Sequence, residues 1–140
     1  MTPDVIDTTT SIGEDAVMRQ RALLLADVGF SAACGVSFTV LSGGLAEWAG
    51  VPGWVVLALG LAILCHVGIL LVGVVKEDRQ AVVTRYAVVA NVGWVVGAVV
   101  VLVTGLLPEA AAMLFGLLSG IVGLFGLLQW RTLGRGRQAA

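Results

Sequence analysis

The chain has 140 residues, of which 59% are hydrophobic and 12% charged, with a net charge of −1. So few charges cannot cover a water-facing surface, and without a basic excess there is no electrostatic footprint for nucleic acid. The length allows one domain. Residues 51–75 and 110–130 hold no charged side chain at all, and each stretch is long enough to cross the roughly 30 Å hydrocarbon core of a bilayer as a helix. No ten-residue segments alternate apolar with polar, which excludes a membrane β-barrel.

Residues 1–18 carry Asp4, Asp7, Glu14 and Asp15 around a Thr8-Thr9-Thr10-Ser11 run. They lack the basic start and apolar centre of a signal peptide and read as a disordered cytoplasmic tail. A domain of four transmembrane helices then fills residues 19–133. The first span is expected over about 22–44, entered past Arg19 and Arg21 and closed by Gly43-Gly44. A short connection with Glu47, Trp48, Pro52 and Trp54 follows, its tryptophans suited to a membrane interface.

The second span, about 53–75, stops at Lys76-Glu77-Asp78-Arg79, and the third runs over about 86–107. Pro108 and Glu109 turn the chain into the fourth span, about 110–130, which leads into a basic tail at 134–140. Every basic residue falls before span one (Arg19, Arg21), between spans two and three (Lys76, Arg79, Arg85) or after span four (Arg131, Arg135, Arg137). The positive-inside rule makes that side the cytoplasm. The sequence therefore reads as an all-α, polytopic four-helix membrane bundle with both termini inside.

Helices in lipid associate through small residues that let backbones approach and through scattered polar contacts. Gly116, Ser119, Gly120, Gly123 and Gly126 lie within about 120° of one another on the fourth span, which gives it one smooth face. Gly93 and Gly97 form a G-x-x-x-G pair on the third span, on a different face from Asn91 and Trp94. Two protein-facing stripes would place that span centrally. Cys34 and Cys65 fall inside apolar spans and read as small buried hydrophobes, not as a disulfide framework.

Three intramembrane polar residues form the candidate site. Asp27 lies six residues past Arg21, about 9 Å of helix rise, on a stripe with Ser31, Cys34, Phe38 and Ser42 that should face the interior. Pairing with Arg21, Arg85 or a helix terminus is the structural expectation; movement of a proton or cation is the functional one. Asn91, six residues past Arg85, lies at the same depth and within reach of a hydrogen bond to Asp27. His66, the only histidine, sits near the midplane; with no second histidine to share a metal or haem it is expected as a neutral imidazole bonded to a backbone or hydroxyl group, and a proton relay is the functional alternative. Gln129, Trp130 and Arg131 are expected at the inner interface, in reach of water or headgroups.

The run Arg85-Tyr86-Ala87 with Ala90-Asn91 and Trp94, then Thr104 to Pro108, then a small-residue span ending Leu127-Leu128-Gln129-Trp130, resembles a group of small uncharacterised bacterial integral membrane proteins with four helices. The resemblance covers residues 85–133 and implies topology without an activity. The arginine-heavy basic set in a chain rich in Val, Ala and Gly also fits a GC-rich bacterial genome. In size and helix number the chain is similar to the small multidrug-resistance transporters, whose first helix carries a membrane-embedded acid that binds drug and protons. Asp27 would take that part here, although it is an aspartate and lies shallower than that family's acid.

No nucleophile–base pair, paired carboxylates or ligand cluster is present, so neither an enzyme nor a cofactor or metal is expected. The expectation is a structural, accessory or self-associating protein of the bacterial cytoplasmic membrane, with the bilayer and a second copy or membrane complex as partners. The alternative is a small proton- or cation-coupled transporter using Asp27.

Overall fold

The computed structural model describes residues 7–136, with side chains described over 17–133. The fold is all-helical. Its elements are α1 (Asp7–Val40), α2 (Ser42–Ala49), α3 (Gly53–Val75), α4 (Gln80–Val103) and α5 (Glu109–Gly136), with a single 3-10 turn at Glu77–Arg79 before α4. No strand occurs among the described residues. Four segments are long and apolar enough to cross a membrane: Val17–Val40, Gly53–Val75, Glu77–Val103 and Glu109–Leu133.

The boundaries differ from the sequence expectation where local backbone chemistry intervenes. α1 starts at Asp7, so residues 7–18 continue the first helix where a disordered tail was expected; residues 1–6 and 137–140 lie outside the described residues. The first long helix ends at Val40, four residues earlier than expected, because Leu41 leaves helical geometry at φ −98°, ψ 15°. Ser42–Ala49 then forms a separate short helix in place of a bare connection. It ends at Gly50, whose φ of 66° lies in the left-handed region, and the Val51 N–H returns to the Ala46 carbonyl at 3.0 Å. A glycine is needed there because a Cβ is penalised in that conformation. The fourth long helix runs past Trp130 to Gly136, taking up the start of the segment read as a tail.

α1 packs most extensively on α3 and α4 on α5, with lesser contacts of α1 on α5 and α3 on α4 closing a ring in which α1 and α4 lie diagonally. The tightest seam is α1 against α3. A Cβ on Gly60 would stand 2.6 Å from Thr39 Oγ1 and 2.7 Å from the Thr39 backbone N, and one on Gly35 would stand 2.9 Å from Leu64 Cδ2. Gly73 makes a comparable approach of α3 to α4, where a Cβ would stand 2.7 Å from Val83 Cβ; these glycines, not those picked from spacing, come closest to a neighbouring helix.

On α5 the expected smooth face does meet α4: a Cβ on Gly126 would stand 3.1 Å from Asn91 Cβ, on Gly123 3.2 Å from Val95, and on Gly116 3.7 Å from Leu102. Gly120, at the edge of that arc, has open space beside it, as do Gly93 and Gly97. The expected second protein-facing stripe of α4 is therefore outward within the chain. An apolar core of Leu24, Leu70, Val74, Val83 and Ala87 joins α1, α3 and α4 at the end where the basic residues lie. Gln20 Nε2 donates to Thr84 Oγ1 at 2.7 Å and Gln80 Nε2 to the Val17 carbonyl at 3.1 Å, which fastens α1 to α4 at that end.

Candidate polar site

Asp27 is 1% exposed. Its expected ionic partners are not there: Arg21 and Arg85 are exposed, and the ion pair among the described residues joins Arg79 to Asp78 on the surface. Six residues along a helix set Arg21 about 120° round from the Asp27 face, so the two side chains leave α1 in different directions. Neutral donors surround the carboxylate instead. Ser31 Oγ donates to Oδ1 at 3.0 Å from the next turn of α1, Asn91 Nδ2 donates to Oδ2 at 3.2 Å from α4, and Gln129 Nε2 donates to Oδ2 at 2.8 Å from α5.

Asn91 Nδ2 also donates to Gln129 Oε1 at 3.2 Å, so three helices share one knot. No buried side-chain nitrogen or oxygen among the described residues lacks a partner. Bonds from neutral amides to a buried carboxylate offset part of its desolvation without introducing a second buried charge. All three of its side-chain partners are neutral, and no cationic side chain is among them.

The Asp27–Asn91 contact expected from equal depth is present. Gln129 stands elsewhere than expected: it is 0% exposed and part of the knot, while its neighbours Trp130 and Arg131 face outward. The displacement from interface to interior follows from α5 running on past Trp130, which leaves Gln129 inside the helix and not at its end. A lone amide within an apolar span, opposite two other polar residues near the same charged end, is the signal that would have found it.

His66 does not join the knot. It lies half-buried on α3, with Nδ1 3.2 Å from the Tyr86 hydroxyl of α4 and the two rings 5.5 Å apart. Its partner is a hydroxyl, one of the two kinds of partner expected for it. The two polar centres meet across a cleft of about 200 Å³ lined by Ser31, Cys34, His66, Tyr86, Asn91 and Trp94 together with Phe30 and Phe38. Asp27 stands behind this wall, bonded to two of its members. Trp94 Nε1 donates to Ser119 Oγ at 3.1 Å, which gives the one serine in the α5 small-residue face a hydrogen-bonding role.

No group of three or more metal-ligating side chains occurs among the described residues. Comparison of the chain with family models, with curated proteins and with solved structures returned no match.

Proposed function

We propose that the chain is an integral protein of the bacterial cytoplasmic membrane, crossing it four times as a helix bundle with both termini inside, and that its role is structural or accessory. The observation that carries this reading is the inversion of polarity between inside and outside. Leu61, Ile69, Val89, Val96, Leu117 and Leu124 are exposed along the long helices, while Asp27, Ser31, Asn91, Ser119 and Gln129 are buried. Lipid explains apolar outer faces that water does not. The satisfied knot supports a structural reading of Asp27, since the Asn91 and Gln129 donors tie α4 and α5 to α1 through a carboxyl group that is buried.

The face with Gly93 and Gly97, where a Cβ would meet nothing of the same chain, is where self-association would bring a second copy. Single cysteines placed at Glu47 and Glu109 should react with a membrane-impermeant maleimide from outside intact cells, and one at Asp78 only after permeabilisation. The reverse pattern would overturn the orientation.

A second reading is favoured by one observation: Ser31 and Asn91 both bind Asp27 and line the cleft. A small proton- or cation-coupled transporter would use this arrangement to pass a proton or cation between the cleft and the carboxylate. Proteoliposomes carrying Asp27→Asn should then lose proton-coupled uptake; uptake equal to that of the unaltered protein would remove this reading.

A further inference from the structure

α3 and α4 touch at Gly73, where a Cβ would meet Val83. Farther along the same seam the two helices are bridged by the His66 and Tyr86 side chains, and beyond that pair the small residues Ala62 and Ala90 both line the cleft of about 200 Å³. Ala62 and Tyr86 are its exposed members, so its mouth opens sideways between α3 and α4. In a bilayer that mouth faces lipid, and what enters it is lipid-soluble.

The walls select the shape and charge of the occupant. Of the four Phe, four Trp, one Tyr and one His in the chain, Phe30, Phe38, Trp94, Tyr86 and His66 line this one cleft. Flat rings pack well against such walls. An apolar cavity of about 150 Å³ holds a benzene ring, so the volume suits one substituted ring. None of the described lining residues is Asp, Glu, Lys or Arg. A charged head would lose its water there and find no counter-ion in the wall.

The His66–Tyr86 pair then sets the hydrogen-bonding need. A neutral imidazole and a phenol bring two protons between them, and one is spent in the 3.2 Å contact of Nδ1 with the hydroxyl. Whichever ring donates in that contact, the pair keeps one N–H or O–H donor and at least one acceptor lone pair. A ligand hydroxyl, which both donates and accepts, matches the pair in either tautomer. Ser31 and Asn91 supply further polar atoms to the same cleft from α1 and α4.

We propose that the cleft binds the uncharged ring of a lipid-soluble hydroquinone. One hydroxyl bonds to the His66–Tyr86 pair, the opposite edge of the ring lies toward Ser31 and Asn91, and the tail leaves through the mouth into lipid. The membrane reading supplies only the source of this ligand. The site belongs to the folded chain in micelles as well, so a failure there leaves that reading standing.

The test is titration of the purified protein in micelles with 2-bromo-5-decylhydroquinone, kept reduced by ascorbate, whose ring bromine quenches nearby indoles. Two single-tryptophan proteins are compared, one keeping Trp94 in the cleft wall and one keeping Trp54, which is exposed at the start of α3. Saturable quenching of Trp94 is expected, against the linear micelle background at Trp54. Decylhydroquinone should displace the probe, with decylbenzene and 4-decylbenzoate each at least about tenfold weaker. Ala90→Phe, which fills the cleft, should abolish the saturable phase while thermal unfolding stays cooperative; Ala62→Phe, at the mouth, serves the same purpose if that protein does not fold. His66→Leu with Tyr86→Phe should narrow the gap between decylhydroquinone and decylbenzene to about threefold or less. Each single change leaves one donor and one acceptor in place and should narrow it less. Linear quenching of Trp94, equal displacement by decylbenzene or by 4-decylbenzoate, or indifference to the filled cleft would each overturn the proposal.

Discussion

The α1–α3 seam and the α1–α4–α5 junction hold the same helix α1 by opposite means. Against α3, α1 relies on shape: Gly60 and Gly35 bring the two helices so close that there is no room for a methyl group. Against α4 and α5, α1 relies on hydrogen bonds that converge on Asp27. Close packing gains many weak dispersion contacts and tolerates no added volume, whereas a hydrogen-bonded knot tolerates changes of volume but not of polarity. The difference teaches that one side of α1 should be broken by size and the other by chemistry.

The most damaging change is expected at Gly60. Gly60→Leu forces side-chain atoms onto the Thr39 backbone, which cannot swing aside as a flexible side chain would. A loss of about 3 kcal/mol or more is expected in reversible denaturant unfolding in micelles, at the upper end of overpacking costs. An unchanged midpoint would show that the seam yields as the other one does.

Asp27→Leu comes next, leaving the donors of Ser31, Asn91 and Gln129 without their common acceptor. About 2 kcal/mol of destabilisation is expected in the same assay. Gln129→Leu removes one donor and should cost about 1 kcal/mol, in line with single interhelical hydrogen bonds between membrane helices. Combined with Asp27→Asn in a double-mutant cycle, it should show coupling of about 0.5 kcal/mol or more; strict additivity would mean that the two residues do not act as a unit. The smallest effect is expected for Gly97→Ala, which meets nothing within the chain and should leave unfolding within about 0.5 kcal/mol of the parent. If Gly97→Ala instead lowers the oligomer fraction in crosslinking, that face serves a second copy.

The sequence made the long helices legible because hydropathy and length dominate when ~20 apolar residues run together. It also located the inward stripe of α1, since Asp27, Ser31, Cys34 and Phe38 recur at helical spacing. Packing was harder to read. Nineteen glycines in one chain give many small-residue patterns, and periodicity cannot tell a glycine that touches a neighbour, such as Gly60, from one facing outward, such as Gly93. Gln129 escaped for a related reason: depth along a helix is set by where the helix ends, and the end of α5 depends on residues that carry no sharp stop signal. The His66–Tyr86 pair joins side chains 20 residues apart across two helices, a relation that only the packing angle of α3 on α4 decides.

The knot also has an order of assembly. Chains emerge from the ribosome amino-terminus first, so Asp27 arrives long before its partners. Asn91 lies 64 residues later and Gln129 102 residues later. Until α5 has been made, the carboxylate lacks its shortest bond, and a chain that stops early carries a buried acid with a missing donor. Completion of the last helix therefore supplies the first one with its shortest hydrogen bond.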